Sequence, residues 1–168
     1  MKKGLKIFSV LIISIIVLLT VINQVVSRNI STEVIINTPP EKVWGILLDH
    51  QSYSEWNPFI KKISGSTKTG ETLSVTILSG GDNPMNFTPE VLVNNKNIEF
   101  RWKGKLLIEG IFDGEHYFIL EKIDSNQTKL IHGERFTGIL SGILISMIGE
   151  EIEKGFEYMN EALKKRTE

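Results

Sequence analysis

The sequence contains no cysteine, which excludes disulfide bridges, thiolate metal sites and a cysteine nucleophile. Basic residues are also in the minority among the charged residues once the N-terminus is passed. Lys2, Lys3 and Lys6 precede any acidic residue, and from residue 28 onward the 20 acidic side chains outnumber the basic ones. A mildly acidic domain without a basic stripe is a poor partner for a polyanion, so we expect no binding to nucleic acid.

Long hydrophobic runs are absent except at the N-terminus, where no charged residue occurs between Ile7 and Ser27. A helix of about 20 residues spans roughly 30 Å, the thickness of the hydrocarbon core of a bilayer. Residues 1–28 are therefore predicted to be an N-terminal transmembrane helix that anchors the protein. A cleaved signal peptide, with small residues at Val25–Ser27, is a second interpretation. A helix buried in the protein core is a third, and it fits less well because the segment is apolar on all sides.

The charges that flank this run predict its orientation. Three lysines precede it and only Arg28 follows closely, so the positive-inside rule leaves the N-terminus in the cytoplasm. The domain that follows, residues 29–168, is then predicted to lie on the extracytoplasmic side of the cell membrane, held by a single pass.

The periodicity of residues 29–168 predicts an α+β domain. A short strand near Val34 and two short helices come first, and the region from Phe59 to Thr137 has the period of two that is typical of strands, here six of them. A long helix over Ser141–Lys165 follows, with an apolar residue every three or four positions. This order indicates a helix-grip fold, in which a curved antiparallel sheet wraps around the C-terminal helix and leaves a cavity.

Two sets of motifs resemble the START-like superfamily known as SRPBCC. Residues 36–44, with the sequence INTPPEKVW, and Trp56–Phe59 are similar to its opening, and residues 128–138, TKLIHGERFTG, to its polyketide cyclase/dehydrase-like branch. The resemblance covers roughly Ile30 to Lys165 and implies a hydrophobic ligand cavity between sheet and helix. The superfamily includes lipid carriers, hormone receptors, cyclases and chaperone co-activators, so the resemblance predicts the fold more sharply than the function.

Polar residues on the buried face of two neighbouring strands are the candidates for chemistry. A hairpin that pairs Ile123 with Gln127 across a three-residue loop sets His116 opposite Glu134 and places His132 one pair further along. The candidate catalytic residues are thus His116, His132 and Glu134. The residues expected to line the ligand cavity are Phe87, Phe100, Trp102, His116, Phe118, His132, Glu134 and Phe136.

Several functions fit this polar group. A hydrogen-bonded structural pair, a patch that orients a ligand, and a general acid/base pair all use an imidazole beside a carboxylate. Two histidines and a carboxylate also form a known metal-ligand set, but all three lie on one wall, so we predict neither a metal nor a cofactor. We expect a membrane-tethered module that binds a hydrophobic small molecule or lipid. The alternatives are a cyclase- or dehydratase-like enzyme and an interaction module of the cell envelope. The sequence does not predict the oligomeric state.

Overall fold

The computed structural model describes residues 2–25, 27–78 and 84–168. Four α-helices and eight strands are present in these ranges, with a short 3-10 turn at His50–Ser52. In chain order they are α1 (Lys2–Val25), β1 (Arg28–Ile36), α2 (Pro40–Leu47), α3 (Tyr53–Trp56), β2 (Ile60–Gly65), β3 (Leu73–Leu78), β4 (Pro84–Phe87), β5 (Glu90–Asn95), β6 (Glu99–Lys105), β7 (Asp113–Lys122), β8 (Thr128–Thr137) and α4 (Ser141–Thr167).

The strands form two antiparallel sheets. Five of them have the order β1-β8-β7-β6-β5, and a smaller sheet has the order β2-β3-β4. Backbone hydrogen bonds join the two, from the Leu73 amide to Pro89 and from the Val91 amide to Glu71, both 2.8 Å. The helix α4 packs against β1 and β8, and this arrangement confirms the predicted α+β helix-grip fold.

One expected strand is two strands in the structure. The sequence pattern predicts a single strand through Met85 and Val93, whereas Thr88 and Pro89 separate β4 from β5, and these belong to different sheets. The reason is local, because proline has no amide hydrogen and cannot donate to a sheet ladder. The break gives seven strands after α3 instead of the expected six.

The long helix is held by one buried face. Ile152, Phe156, Met159 and Leu163 are buried, while the glutamates between them are exposed. Each such apolar side chain contributes about 1.5–3 kcal/mol to folding. The C-terminal end is also tied down, since Oγ1 of Thr38 donates to the Thr167 carbonyl over 3.2 Å.

The N-terminal segment departs from the prediction. Within the described residues, no helix is both long and apolar enough to cross a membrane, so the transmembrane helix expected at residues 1–28 is not supported. The side chains of Ile7–Leu18 in this helix are exposed. Side chains 19–26, which include part of the possible cleavage site, lie outside the described residues.

Candidate functional site

A cavity lies where α4, the large sheet and the small sheet meet. Its volume is about 100 Å³, several times the space that one water molecule needs. The lining is mostly apolar, and Glu134, His116 and Lys105 are the polar side chains that contribute to it. The lining residues are Phe59, Ile60, Val75, Ile77, Met85, Phe87, Pro89, Trp102, Gly104, Lys105, Leu106, Phe112, Gly114, His116, Glu134, Phe136, Ile148 and Ile152.

The hairpin of β7 and β8 positions the polar residues of the wall. Its register pairs His116 with Glu134 and Phe118 with His132, and the Ile123 amide donates to the Gln127 carbonyl over 3.0 Å. The predicted register is therefore confirmed. Because the side chains of a strand alternate between its two faces, His116 and Glu134 both point toward α4 and the cavity.

A chain of hydrogen bonds runs inward from the cavity wall. Nδ1 of His116 lies 3.3 Å from Oε2 of Glu134, and Nε2 of His116 lies 3.0 Å from Nε2 of His132. On the other side of its ring, Nδ1 of His132 lies 2.9 Å from Oδ1 of Asn160 in α4. Asn160 then donates from Nδ2 to Oγ1 of Thr32 in β1, over 2.8 Å. These side chains, from Glu134 to Thr32, form a continuous relay.

Burial sets the charge state of the relay. It lowers the pKa of His116 to about 3 and raises the pKa of Glu134 to about 8. It also holds the pKa of His132 well below its ordinary value, helped by the neighbouring His116 and opposed by the hydrogen bonds to Asn160 and to the Phe156 backbone. Each shift favours the neutral form, which is the form that a low-dielectric site tolerates. At neutral pH the relay is therefore a chain of uncharged groups.

The relay also has a definite direction, which the amide oxygen of Asn160 sets. That oxygen can only accept a hydrogen bond, so Nδ1 of His132, 2.9 Å away, carries the proton. Neutral His132 then has an unprotonated Nε2, which accepts from the Nε2–H of His116. By the same reasoning Nδ1 of His116 carries no proton, and Oε2 of Glu134 donates to it. The hydrogen-bond pattern and the raised pKa of Glu134 agree that its carboxyl group is protonated.

Two neighbours hold these groups at the cavity wall. The ring of Trp102 stacks on His116, with centroids 4.6 Å apart and planes 10° from parallel. On the other side, a Cβ atom added at Gly114 would collide with Oε1 of Glu134, so the glycine makes room for the carboxyl group. The Glu134 side chain remains 21% accessible, and since Gly114 lines the cavity, Oε1 lies at its surface.

The predicted ligand residues divide into two groups. Phe87, Trp102, His116, Glu134 and Phe136 line the cavity. Phe100, Phe118 and His132 do not, because they are fully buried behind its wall. Their roles in ligand binding stay predictions.

The structure adds residues that the strand pattern did not identify. Ile148 and Ile152 of α4 and Phe112 before β7 line the cavity, and Thr32 and Asn160 complete the relay. Asn160 carried a signal in the sequence, since it is a polar residue one turn after Phe156 on the apolar stripe of the helix. Thr32 carried none.

The geometry does not favour a metal site at His116, His132 and Glu134. In the described ranges, no group of three histidine or acidic side chains is placed to hold a metal ion. The Nε2 atoms of His116 and His132 point at each other at hydrogen-bond distance, so each nitrogen already has a partner.

The sequence model of the family described as polyketide cyclase/dehydrase and lipid transport matches residues 27–168. The chain belongs to this family. Membership confirms the resemblance that the motifs at residues 36–44 and 128–138 indicate, and the family includes both cyclases and proteins of lipid transport. No curated protein sequence matches the chain.

Solved structures share the family fold. Zhui aromatase/cyclase from Streptomyces sp. R1128 superposes with a TM-score of 0.68 at 14% identity, covering 84% of this chain and 94% of that one. Norcoclaurine synthase from Thalictrum flavum, in complex with dopamine and hydroxybenzaldehyde, gives 0.64 at 12% identity over 86% and 90%. A protein from Thermus thermophilus gives 0.65 at 16% identity over 83% and 97%. At such identities the likeness shows the fold alone.

Proposed function

We propose that this domain binds a hydrophobic small molecule that carries a hydroxyl group. The observation that supports this most directly is the largely apolar cavity with the Glu134 carboxyl group at its wall. Pockets of this kind obtain affinity from apolar contacts and orientation from a few fixed polar groups.

The relay favours a hydroxyl donor over other polar groups. Oε2 of Glu134 donates its proton to Nδ1 of His116, so Oε1 is left as a carbonyl-type acceptor beside Gly114. A ligand hydroxyl donates to such an oxygen, whereas an ether or ketone oxygen does not. The neutral acid also avoids the cost of a buried charge when an apolar ligand displaces water from the cavity.

Naphthol and its methyl ether test this preference, since they differ by one hydrogen-bond donor. The protein should bind naphthol about five- to tenfold more tightly, which corresponds to one net hydrogen bond. Glu134→Gln keeps the pattern, because its amide donates to His116 and its carbonyl faces the cavity, and should retain the preference. Glu134→Leu should lose it. Equal affinities for the two probes in the unmodified protein would contradict the proposal.

The second candidate is a cyclase- or dehydratase-like enzyme, and the specific observation in its favour is the pKa of Glu134, raised to about 8. A group with a pKa near the working pH is suited to general acid/base catalysis. In a dehydration, the C–O bond would break as Glu134 protonates the leaving hydroxyl, and water would depart. The carboxylate would then take a proton from the adjacent carbon as the double bond forms. If NMR titration finds an ordinary pKa of about 4.3 for Glu134, this candidate loses its basis.

We also propose that α1 tethers the domain to the extracytoplasmic face of a membrane. The support is the exposed aliphatic run Ile7–Leu18, with Lys2, Lys3 and Lys6 ahead of it. Alkaline phosphatase fused after Glu168 should be active in cells. Activity of a cytoplasmic reporter at the same position, with an inactive phosphatase, would reverse the proposed topology.

A further inference from the structure

A group of large apolar side chains is exposed around the cavity mouth. It comes from the loop between β6 and β7 and from the segment that leads into the first turns of α4. Leu107 is 82% exposed and Met147 is 74% exposed, values that are unusual for side chains of this size. This apolar rim consists of Leu106, Leu107, Ile108, Ile139, Leu140, Ile143 and Met147.

The two parts of the apolar rim are joined, so they form one surface. The Ile139 amide donates to the Gly110 carbonyl and the Leu140 amide to the Ile111 carbonyl, both over 3.0 Å. Leu106 belongs to both the rim and the cavity lining, and Ile148 lines the cavity one residue after Met147. The rim therefore borders the entrance through which a ligand reaches the cavity.

The composition of this surface differs from that of the other exposed faces. Residues 136–149 contain no charged side chain, whereas the exposed face of α4 beyond them is rich in glutamate. Ile143 and Met147 lie four positions apart on one face of α4, and Ile139 lies in the turn just before the helix. Leu107 also has a φ of 64°, a left-handed conformation that is costly for a leucine. An exposed apolar patch of this kind marks an interaction site more often than ordinary surface.

The position of the N-terminal helix indicates what covers this surface. Arg28, the first residue of β1, pairs with Phe136, which lies three residues before Ile139. The helix α1 therefore joins the domain at the same end as the rim, and its run Ile7–Leu18 is exposed and apolar as well. Lys105 and Arg135 are exposed at this end, which suits the anionic headgroups of a lipid surface.

We propose that the apolar rim inserts into the lipid surface to which α1 tethers the domain, so that the cavity opens toward the bilayer. This inference rests on the proposed function. A hydrophobic ligand could then pass between bilayer and cavity without exposing its apolar surface to water.

The absence of cysteine makes a direct test possible, because a single cysteine can be placed and labelled at will. The full chain would carry a nitrobenzoxadiazole dye at Leu107→Cys or Met147→Cys and would be reconstituted in vesicles of phosphatidylcholine and phosphatidylglycerol. Part of the lipid would bear spin labels on its acyl chains. We expect loss of dye emission by quenching at both rim positions. The control Ser125→Cys lies in the β7–β8 turn, at the opposite end of the hairpin, and should stay unquenched.

Other outcomes would overturn the inference in distinguishable ways. Quenching at Ser125 equal to that at Leu107 would mean that the whole domain adheres without orientation. A blue-shifted but unquenched dye at Leu107 would mean that α1 or a second copy of the chain covers the rim. A chain that stays in the vesicles with unquenched, solvent-like dye at Leu107 would mean that α1 anchors it and the rim does not insert. Naphthol binding by the same samples reports on the cavity separately, and a failure to associate with vesicles at all would contradict the tether.

Discussion

The clearest quantitative consequence of the relay is a fall in stability between pH 6.5 and pH 8. In the folded protein, burial raises the pKa of Glu134 to about 8, whereas an unfolded chain has a value of about 4.3 for glutamate. A raised acid pKa contributes stability at low pH, and that contribution is lost as the pH rises through the window between the two values. The lowered pKa values of His50, His116 and His132 act in the opposite direction, mostly below 6.5 and by about 0.4 kcal/mol each between pH 6.5 and pH 8.

The size of the effect follows from this window. One proton bound by the folded state but not by the unfolded state costs about 1.4 kcal/mol for each pH unit. From pH 6.5 to pH 8 Glu134 alone should therefore lower the free energy of unfolding by up to about 2 kcal/mol, and the three histidines offset part of this fall. In a domain of this size, each kcal/mol of that fall corresponds to a decrease of about 2–4 °C in the melting temperature.

Glu134→Gln removes the titration without changing the shape. Its amide donates to Nδ1 of His116 as the protonated acid does, so the relay persists while the fall in stability between pH 6.5 and 8 should disappear. The assay is urea denaturation followed by circular dichroism at both pH values. Glu109→Gln is the matched control, because Lys103 lowers the pKa of Glu109 and this fully exposed group does not titrate in the window. If the free energy of unfolding changes equally with pH in the unmodified protein and in Glu134→Gln, the assignment of Glu134 as a buried, protonated acid is refuted.

Three further substitutions test neighbouring parts of the structure. Gly114→Ala should displace the Glu134 carboxyl group and reduce the preference for naphthol over its methyl ether at least severalfold, as a binding titration would show. Asn160→Leu removes the hydrogen-bond partner of the buried His132 ring and should lower the free energy of unfolding by about 1–3 kcal/mol in urea. His50 has a buried Nε2 with no partner among the described residues and a pKa lowered by burial to about 4, so His50→Phe should raise the melting temperature.

The sequence predicted the cross-strand pair of the site correctly because the determinants are local. A short polar loop pairs Ile123 with Gln127, and the period of two then carries the register along both strands to His116 and Glu134. No contact with a distant part of the chain enters this reasoning, which is why it succeeded without a structure.

The depth of each inward residue could not be predicted in the same way. Phe118, His132 and His116 all face the inner side of the sheet, but the first two are fully buried, His132 against Phe156 of α4, whereas His116 reaches the cavity. Where the helix crosses the sheet depends on how ridges of side chains on the two elements fit together. Strand periodicity carries no information about that fit.

The relay beyond His132 depends on the same long-range packing. Asn160 is on α4 and Thr32 is on β1, and they meet only because helix and strand pack side by side. The break at Pro89, in contrast, was available in the sequence, since a proline is a poor member of an inner strand. The transmembrane prediction at residues 1–28 rested on hydropathy alone, and the described helices do not support it.

The relay favours binding over catalysis, because it resists the ionisation that an acid catalyst undergoes. If Oε2 of Glu134 loses its proton, it faces the lone pair on Nδ1 of His116. Reversing the tautomers of both histidines would relieve this contact but would set an unprotonated Nδ1 of His132 against Oδ1 of Asn160, and the other option is a His116 cation. That cation is costly, since burial lowers the pKa of His116 to about 3. A reacting ligand would therefore have to stabilise the carboxylate itself, through a hydroxyl that donates to Oε1.

The pKa of Glu134 with naphthol bound separates the two functions. If the ligand mainly displaces water from the cavity, the loss of solvation favours the neutral acid, and the pKa should stay at or above its value of about 8. If the ligand hydroxyl stabilises the carboxylate, the pKa should fall toward neutral pH, where the group can exchange a proton in each turnover. We expect the first result, measured by NMR of carbon-labelled glutamate with Glu134→Gln to assign the signal. A fall of the pKa on binding would instead favour the cyclase- or dehydratase-like enzyme.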